Sequence, residues 1–175
     1  PNVINSLQTQ VGNTINTYQQ YMPSEVFKYL RSEAARLAPV VPHFYLLPKL
    51  HKLPAITRAN LHLLKGRPIA ACHSWVTNPM SVYMAHVLND TCFRLYPQVL
   101  RDSKSLVTLL ESASVSRQAF LVTFDVENMY PSIDNRAAID ACAQAAHRCG
   151  THGGMVTAML DLIMLNGWGD AGVDA

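Results

Sequence analysis

The residues from Phe120 to Asp125, FLVTFD, restrict the fold more than any other stretch, because five consecutive aromatic, aliphatic or β-branched residues run without Gly or Pro and end on a carboxylate. Such a run predicts a short buried strand. A strand must satisfy its backbone against neighbours, so the chain is expected to contain a sheet. The strand would deliver Asp125 at its carboxyl end, where the backbone leaves the ladder and an oxygen ligand can hold a hard cation such as Mg²⁺. Glu127 lies close enough in sequence to share that edge. The plainer alternative is that Asp125 only ends a core strand. Asp134 reads first as the N-cap of a helix beginning at Asn135.

Most of the remaining chain carries helical spacing. Val3, Ile4, Leu7, Val11, Ile15 and Tyr18 form one apolar stripe despite Gly12. Pro23 and Ser24 open a second helix through about Leu37, with Ser24 as N-cap and Pro39 and Pro42 ending it. An extended part follows: His43 to Leu47 as a strand broken by Pro48, residues 53–64 as a loop, and a second strand from about Arg67 to Cys72. Together they predict a hairpin around a basic loop. Pro79 at a first helical position, behind Thr77 or Asn78, begins a helix with Met80, Tyr83, Met84, Val87, Leu88 and Leu95 on its core face. Asp102 or Ser103 caps another, carrying Leu106, Leu109 and Leu110. After Asp134 a helix runs to about Arg148, Gly150 to Gly154 turns, and Met155 to Leu165 is again helical. The order of elements gives an α+β class in a single domain, with no internal repeat or long linker.

Charge is distributed unevenly. No acid lies between Ala34 and Asn89, where Arg36, Lys49, Lys52, Arg58, Lys65 and Arg67 all fall. From Gln118 onward the balance reverses, with seven acids against Arg136 and Arg148. One basic wall and one acidic wall suit a site that holds phosphates on one side and cations on the other; a polar surface with its acids clustered late is the alternative. Cys72, Cys92, Cys142 and Cys149 show neither zinc spacing nor a disulfide framework, which fits buried free thiols in a reducing, intracellular setting. His43, His51, His62, His73 and His86 are scattered with no metal-type spacing. No run approaches the roughly 18 apolar residues that span a bilayer, so no membrane partner is expected, and no protein partner is evident. The chain begins at Pro1, as a piece of a longer product or a partial gene model would.

Three strings stand in order along the chain: FYLLPKLHK at residues 44–52, KGRPIA at 65–70, and FDVENMY at 124–130. Together they resemble the fingers motifs and the first palm motif of reverse transcriptases, most closely the Penelope-like retroelement group related to telomerase reverse transcriptase. The LPKLHK string is the most specific, and the resemblance covers roughly residues 20–166. It implies the fingers and partial palm of a right-hand polymerase, with 1–117 as the N-terminal helices and fingers and 118–175 as the start of the palm. It further implies an RNA-directed DNA polymerase that takes an RNA template, a DNA primer and dNTP, with Mg²⁺ or Mn²⁺ as cofactor.

Site residues follow from the same resemblance. Asp125 matches the first metal-binding catalytic aspartate, and the backbone carbonyl of Val126 adds a ligand. Tyr130 matches the aromatic beneath the sugar of the incoming nucleotide, which selects dNTP over NTP; a packed tyrosine is the alternative. Arg67 resembles the fingers arginine on the triphosphate, and Lys49 the basic residue near nucleotide or template, with Lys52 and Lys65 as weaker nucleic-acid contacts or solvated lysines. The chain departs from the family in one respect that matters. No tyrosine follows Tyr130, so the second palm motif, a tyrosine before paired aspartates, is missing, and Asp170 and Asp174 sit in a glycine-rich tail. The palm sheet is then incomplete, and the expectation is a truncated enzyme that is inactive alone. Two other classes remain: a noncatalytic nucleic-acid-binding remnant using the acid-free stretch, and a Mg²⁺-dependent phosphatase or nuclease built on Asp125, Glu127 and Asp134.

Overall fold

The computed structural model describes residues 3–36, 38–48, 66–126 and 129–165. Its centre is helical. Helix α1 (Val3–Thr17) buries Leu7, Val11 and Ile15, each four residues from the next, so one stripe faces inward. A short 3₁₀ turn at Gln19–Tyr21 leads to α2 (Ser24–Arg36), which buries Leu30. Ser24, expected as the N-cap, is instead the first helical residue, and the Phe27 N–H reaches back to the Pro23 carbonyl at 3.0 Å.

After the strands β1 (His43–Pro48) and β2 (Gly66–Ala71), helix α3 (Asn78–Leu95) begins with Pro79 in its first turn, where no N–H is missed. It buries Met80, Met84 and Thr91. Helix α4 (Ser103–Ser112) and the single turn α5 (Met129–Ser132) precede α6 (Asn135–Arg148) and α7 (Gly153–Met164). The inner face of α6 is Ile139, Ala143 and Ala146, and its two small residues let α7 come close: a Cβ on Gly153 would stand 3.3 Å from the Ala143 carbonyl oxygen. Helix α7 is the most enclosed, burying Met155, Val156, Met159, Leu160 and Leu162. Helices α1, α2, α3, α6 and α7 pack on one another around this helix pair, and five buried methionines, Met22, Met80, Met84, Met155 and Met159, fill the irregular gaps between them. Outside the core, Arg136 on α6 and Asp161 on α7 add an ion pair at 2.8 Å.

The α+β class holds, but the β part is small. The strands β1 and β2 pair antiparallel with His43 opposite Ala71 and Pro48 opposite Gly66, and they are the whole sheet among the described residues. Every residue of β1 is exposed. A hydrogen bond from the Val40 N–H to the Ser74 carbonyl, 3.1 Å, closes the base of the ribbon next to α3.

The buried strand expected at Phe120–Phe124 is not formed. Residues 119–126 carry no ladder, and Phe120 and Phe124 each keep 93% of their surface exposed, Leu121 86%. Strand propensity is a preference for a pleated, half-buried surface, and it takes effect only where another strand lies alongside. Here the two described strands pair only with each other, neither lies alongside Phe120–Phe124, and the core is closed by helices. The four cysteines, expected as buried, are free and half-buried. No described helix is long and apolar enough to cross a membrane.

Candidate functional site

Arg67 is the second residue of β2, opposite Leu47, with its side chain exposed. Register puts Arg67, Ile69 and Ala71 on one face of the ribbon with Leu47, Tyr45 and His43. The guanidinium therefore leaves from a paired strand. Lys49, Lys52 and Lys65 fall between the strands at residues that lie outside the described ones, as does Glu127.

Asp125 and Val126 stand in a segment that forms neither helix nor strand, both exposed, Val126 at 66%. Tyr130 follows on α5 with 83% of its surface exposed, so it is neither a packed tyrosine nor one held under a neighbour. Asp125, Arg67 and Tyr130 make no hydrogen bond or ion pair with one another among the described residues. Nor do three or more His, Cys, Asp or Glu side chains converge there in a group that could hold a metal ion. Two divalent ions need several carboxylates, so the described residues do not by themselves fit that cofactor.

Asp134 does what the plainer reading requires. Its carboxylate accepts from the Ala137 N–H at 2.7 Å and caps α6. Asp102 does the same for α4, accepting from the Ser105 N–H and the Ser105 hydroxyl, each at 2.8 Å, and these bonds hold its carboxyl below the ordinary carboxylate range. Burial pushes the Tyr83 hydroxyl and the Cys142 thiol up from their usual values, as desolvation does for groups that ionise to anions.

One arrangement carries no signal in the sequence. His152 caps α7 through Nδ1, which accepts from the Met155 N–H at 3.1 Å, and its ring stacks on Tyr21 at 3.7 Å between centroids, with Tyr18 at 5.7 Å. A concavity of about 520 Å³ opens beside it, lined in part by Gln20, Met22, His147 and Thr151. Histidine is not among the residues favoured at N-caps, so only the aromatic neighbours in space make it one. The cap consumes the ring nitrogen that faces the helix, and the cluster ties α7 to the turn after α1. Set against protein-family models, curated proteins and solved structures, the chain matches none of them.

Proposed function

We propose that this chain is the front part of an RNA-directed DNA polymerase of a retroelement, carrying the nucleotide-facing fingers ribbon and the first palm carboxylate and inactive alone. The observation that carries this is the ordered occurrence of LPKLHK, RPI and FDVENMY in one short chain. An exposed arginine on a two-stranded ribbon supports it, since a planar guanidinium on a rigid element can bind a triphosphate bidentately. Exposure of Asp125, Val126 and Tyr130 also supports it: side chains that meet a primer, a nucleotide and ions must be reachable. In the whole polymerase Asp125 and the Val126 carbonyl would hold part of a divalent-ion site completed by residues outside this chain, and the ions bound there would supply charge neutralisation for phosphoryl transfer. What these residues contribute is one carboxylate, one cation on phosphate and one ring beneath the sugar.

The test supplies what is missing. The 175-residue chain should show no primer extension, and a fusion that adds a second palm motif and thumb after Leu165 should restore RNA-templated DNA synthesis. In that fusion Asp125→Asn should abolish synthesis, because a ligand acting as part of a unit is not partly dispensable. Tyr130→Ala should relax the choice between dNTP and NTP while leaving extension. Robust extension by the unmodified chain, or a fusion indifferent to Asp125, would overturn the proposal.

A second reading has its own observation, the acid-free stretch from Ala34 to Asn89 with its six basic residues. A noncatalytic nucleic-acid binder would use these against phosphates, and affinity would fall steeply with salt as counterions are released. Arg67→Ala with Lys49→Ala should weaken binding and flatten the salt slope in filter binding. An unchanged slope would dismiss it.

A further inference from the structure

Two features of this molecule are each half of a sheet. The run from Phe120 to Asp125 lies in no helix or strand and is exposed throughout, and among the described residues β1 pairs with β2 alone, which leaves an edge of the same length, six residues, on its other side. We propose that these halves join between two copies of the chain, the run of each adding antiparallel to β1 of the other in a two-fold dimer.

Register argues for this pairing. With Asp125 opposite His43, the antiparallel alignment sets Thr123 beside Tyr45, Leu121 beside Leu47, Phe124 beside Phe44, Val122 beside Leu46 and Phe120 beside Pro48. One face of the extended sheet is then wholly apolar, with an aromatic pair of the kind that stabilises cross-strand contacts. On the other face the only carboxylate of the run meets the only imidazole of β1, which can donate a ring N–H to it. A shift by one residue would scatter the apolar set over both faces. The edge of β2 is the poorer acceptor, since Pro68 in its middle has no N–H to give. Long apolar edges of this kind template pairing with another chain unless they are blocked.

The area is sufficient. Phe120 and Phe124, at 93% exposure, and Phe44, at 65%, are largely bare in the single chain. Each such ring can bury on the order of 150 Å². With the aliphatic side chains and both reciprocal ladders, the total comes to roughly 1,200 Å², the lower end of specific interfaces.

Sedimentation velocity of the 175-residue chain over a concentration series tests it. The expected result is a monomer–dimer equilibrium. Val122→Pro and, separately, Thr123→Pro should be tried, because one of them must remove a donor from the new ladder; that variant should weaken association by about 100-fold. Val107→Lys on exposed α4 should leave it unchanged. Asp125→Lys should weaken the dimer several-fold and His43→Glu in the same chain should recover it, a result that only this register gives. A chain that stays monomeric, a dimer that survives both proline variants, or an open-ended aggregate would overturn the proposal. So would amide protection of 120–125 in a monomer, which would place the run on its own ribbon.

Discussion

Ile139 and Phe124 are both strongly apolar, but Ile139 on α6 keeps none of its surface in water and Phe124 keeps 93%. The helix satisfies its own backbone, so burying Ile139 required only that neighbouring side chains from α3 and α7 fill the space around it. The segment around Phe124 forms no helix that would satisfy its own backbone, and to bury Phe124 as a strand the chain must first supply a strand beside it. The same division separates the five core helices from the ribbon, α4 and residues 113–126, which carry exposed Phe44, Leu46, Leu109 and Leu121. Hydrophobicity drives burial in one region and waits for a partner in the other.

The largest effect should come from cutting the core. Ile139→Ala and Met159→Ala, each at a position with no exposed surface, should each destabilise by about 2–5 kcal/mol, since they leave cavities between helices that cannot wholly collapse. Phe124→Ala, a larger deletion, should change the stability of the dilute chain by less than about 0.5 kcal/mol. Urea unfolding followed by far-ultraviolet circular dichroism measures both. A Phe124→Ala loss comparable to that of Ile139→Ala would mean that the extended run is packed in solution.

Backbone positions come next. Gly150 ends α6 with φ +88°, donating its N–H to the His147 carbonyl, while the Thr151 N–H closes on Ala146. A side chain there meets no neighbour but must adopt left-handed backbone, so Gly150→Ala should cost about 1–2 kcal/mol. Asp134→Ala should cost about 1 kcal/mol through loss of the α6 cap, and Asp134→Asn much less. Both are read from the same unfolding curves, because α6 belongs to the cooperative core.

How far the sequence discloses this molecule follows the same division. The stripes Leu7, Val11, Ile15 and Met80, Met84 are visible because a helix writes its buried face into its own spacing, and Asp134 is visible as a cap because its partner lies three residues on. The paired strands are visible from their two short runs, although Pro48, expected to break the first, is its last residue and pairs with Gly66. Phe120–Phe124 misleads because its residue types state a preference that only a distant strand can honour, and the spacing holds no record of whether that strand exists. His152 escapes notice because its role arises from Tyr21, far away in sequence and 3.7 Å away in space. The candidate site lies outside the five core helices, with Arg67 on β2, Asp125 in the segment without helix or strand and Tyr130 on α5. Asp125, Arg67 and Tyr130 are proposed as site residues from the resemblance of their motifs alone, and among the described residues no hydrogen bond or ion pair joins them.

The smallest effect sharpens the contrast without any mutation. The Asp102 carboxyl is held below its ordinary range by the Ser105 N–H and hydroxyl, so the native state binds its proton less readily than the unfolded chain does. For a carboxyl depressed in this way, the capping contribution is complete above the unfolded value of roughly 4 and is lost as pH falls from there through the lower native value. Every residue of α4 except the half-buried Ser105 is exposed, and none belongs to the buried core. Acidification below about pH 4 should therefore fray α4 reversibly, seen as faster amide hydrogen exchange from Ser105 to Ser112, while amides around Ile139 keep their protection. Asp102→Asn, which can still accept from Ser105 but does not titrate, should remove the pH dependence at α4. If α4 and the Ile139 region instead lose protection together, α4 belongs to the cooperative core and the boundary between the two regions has to be redrawn beyond it.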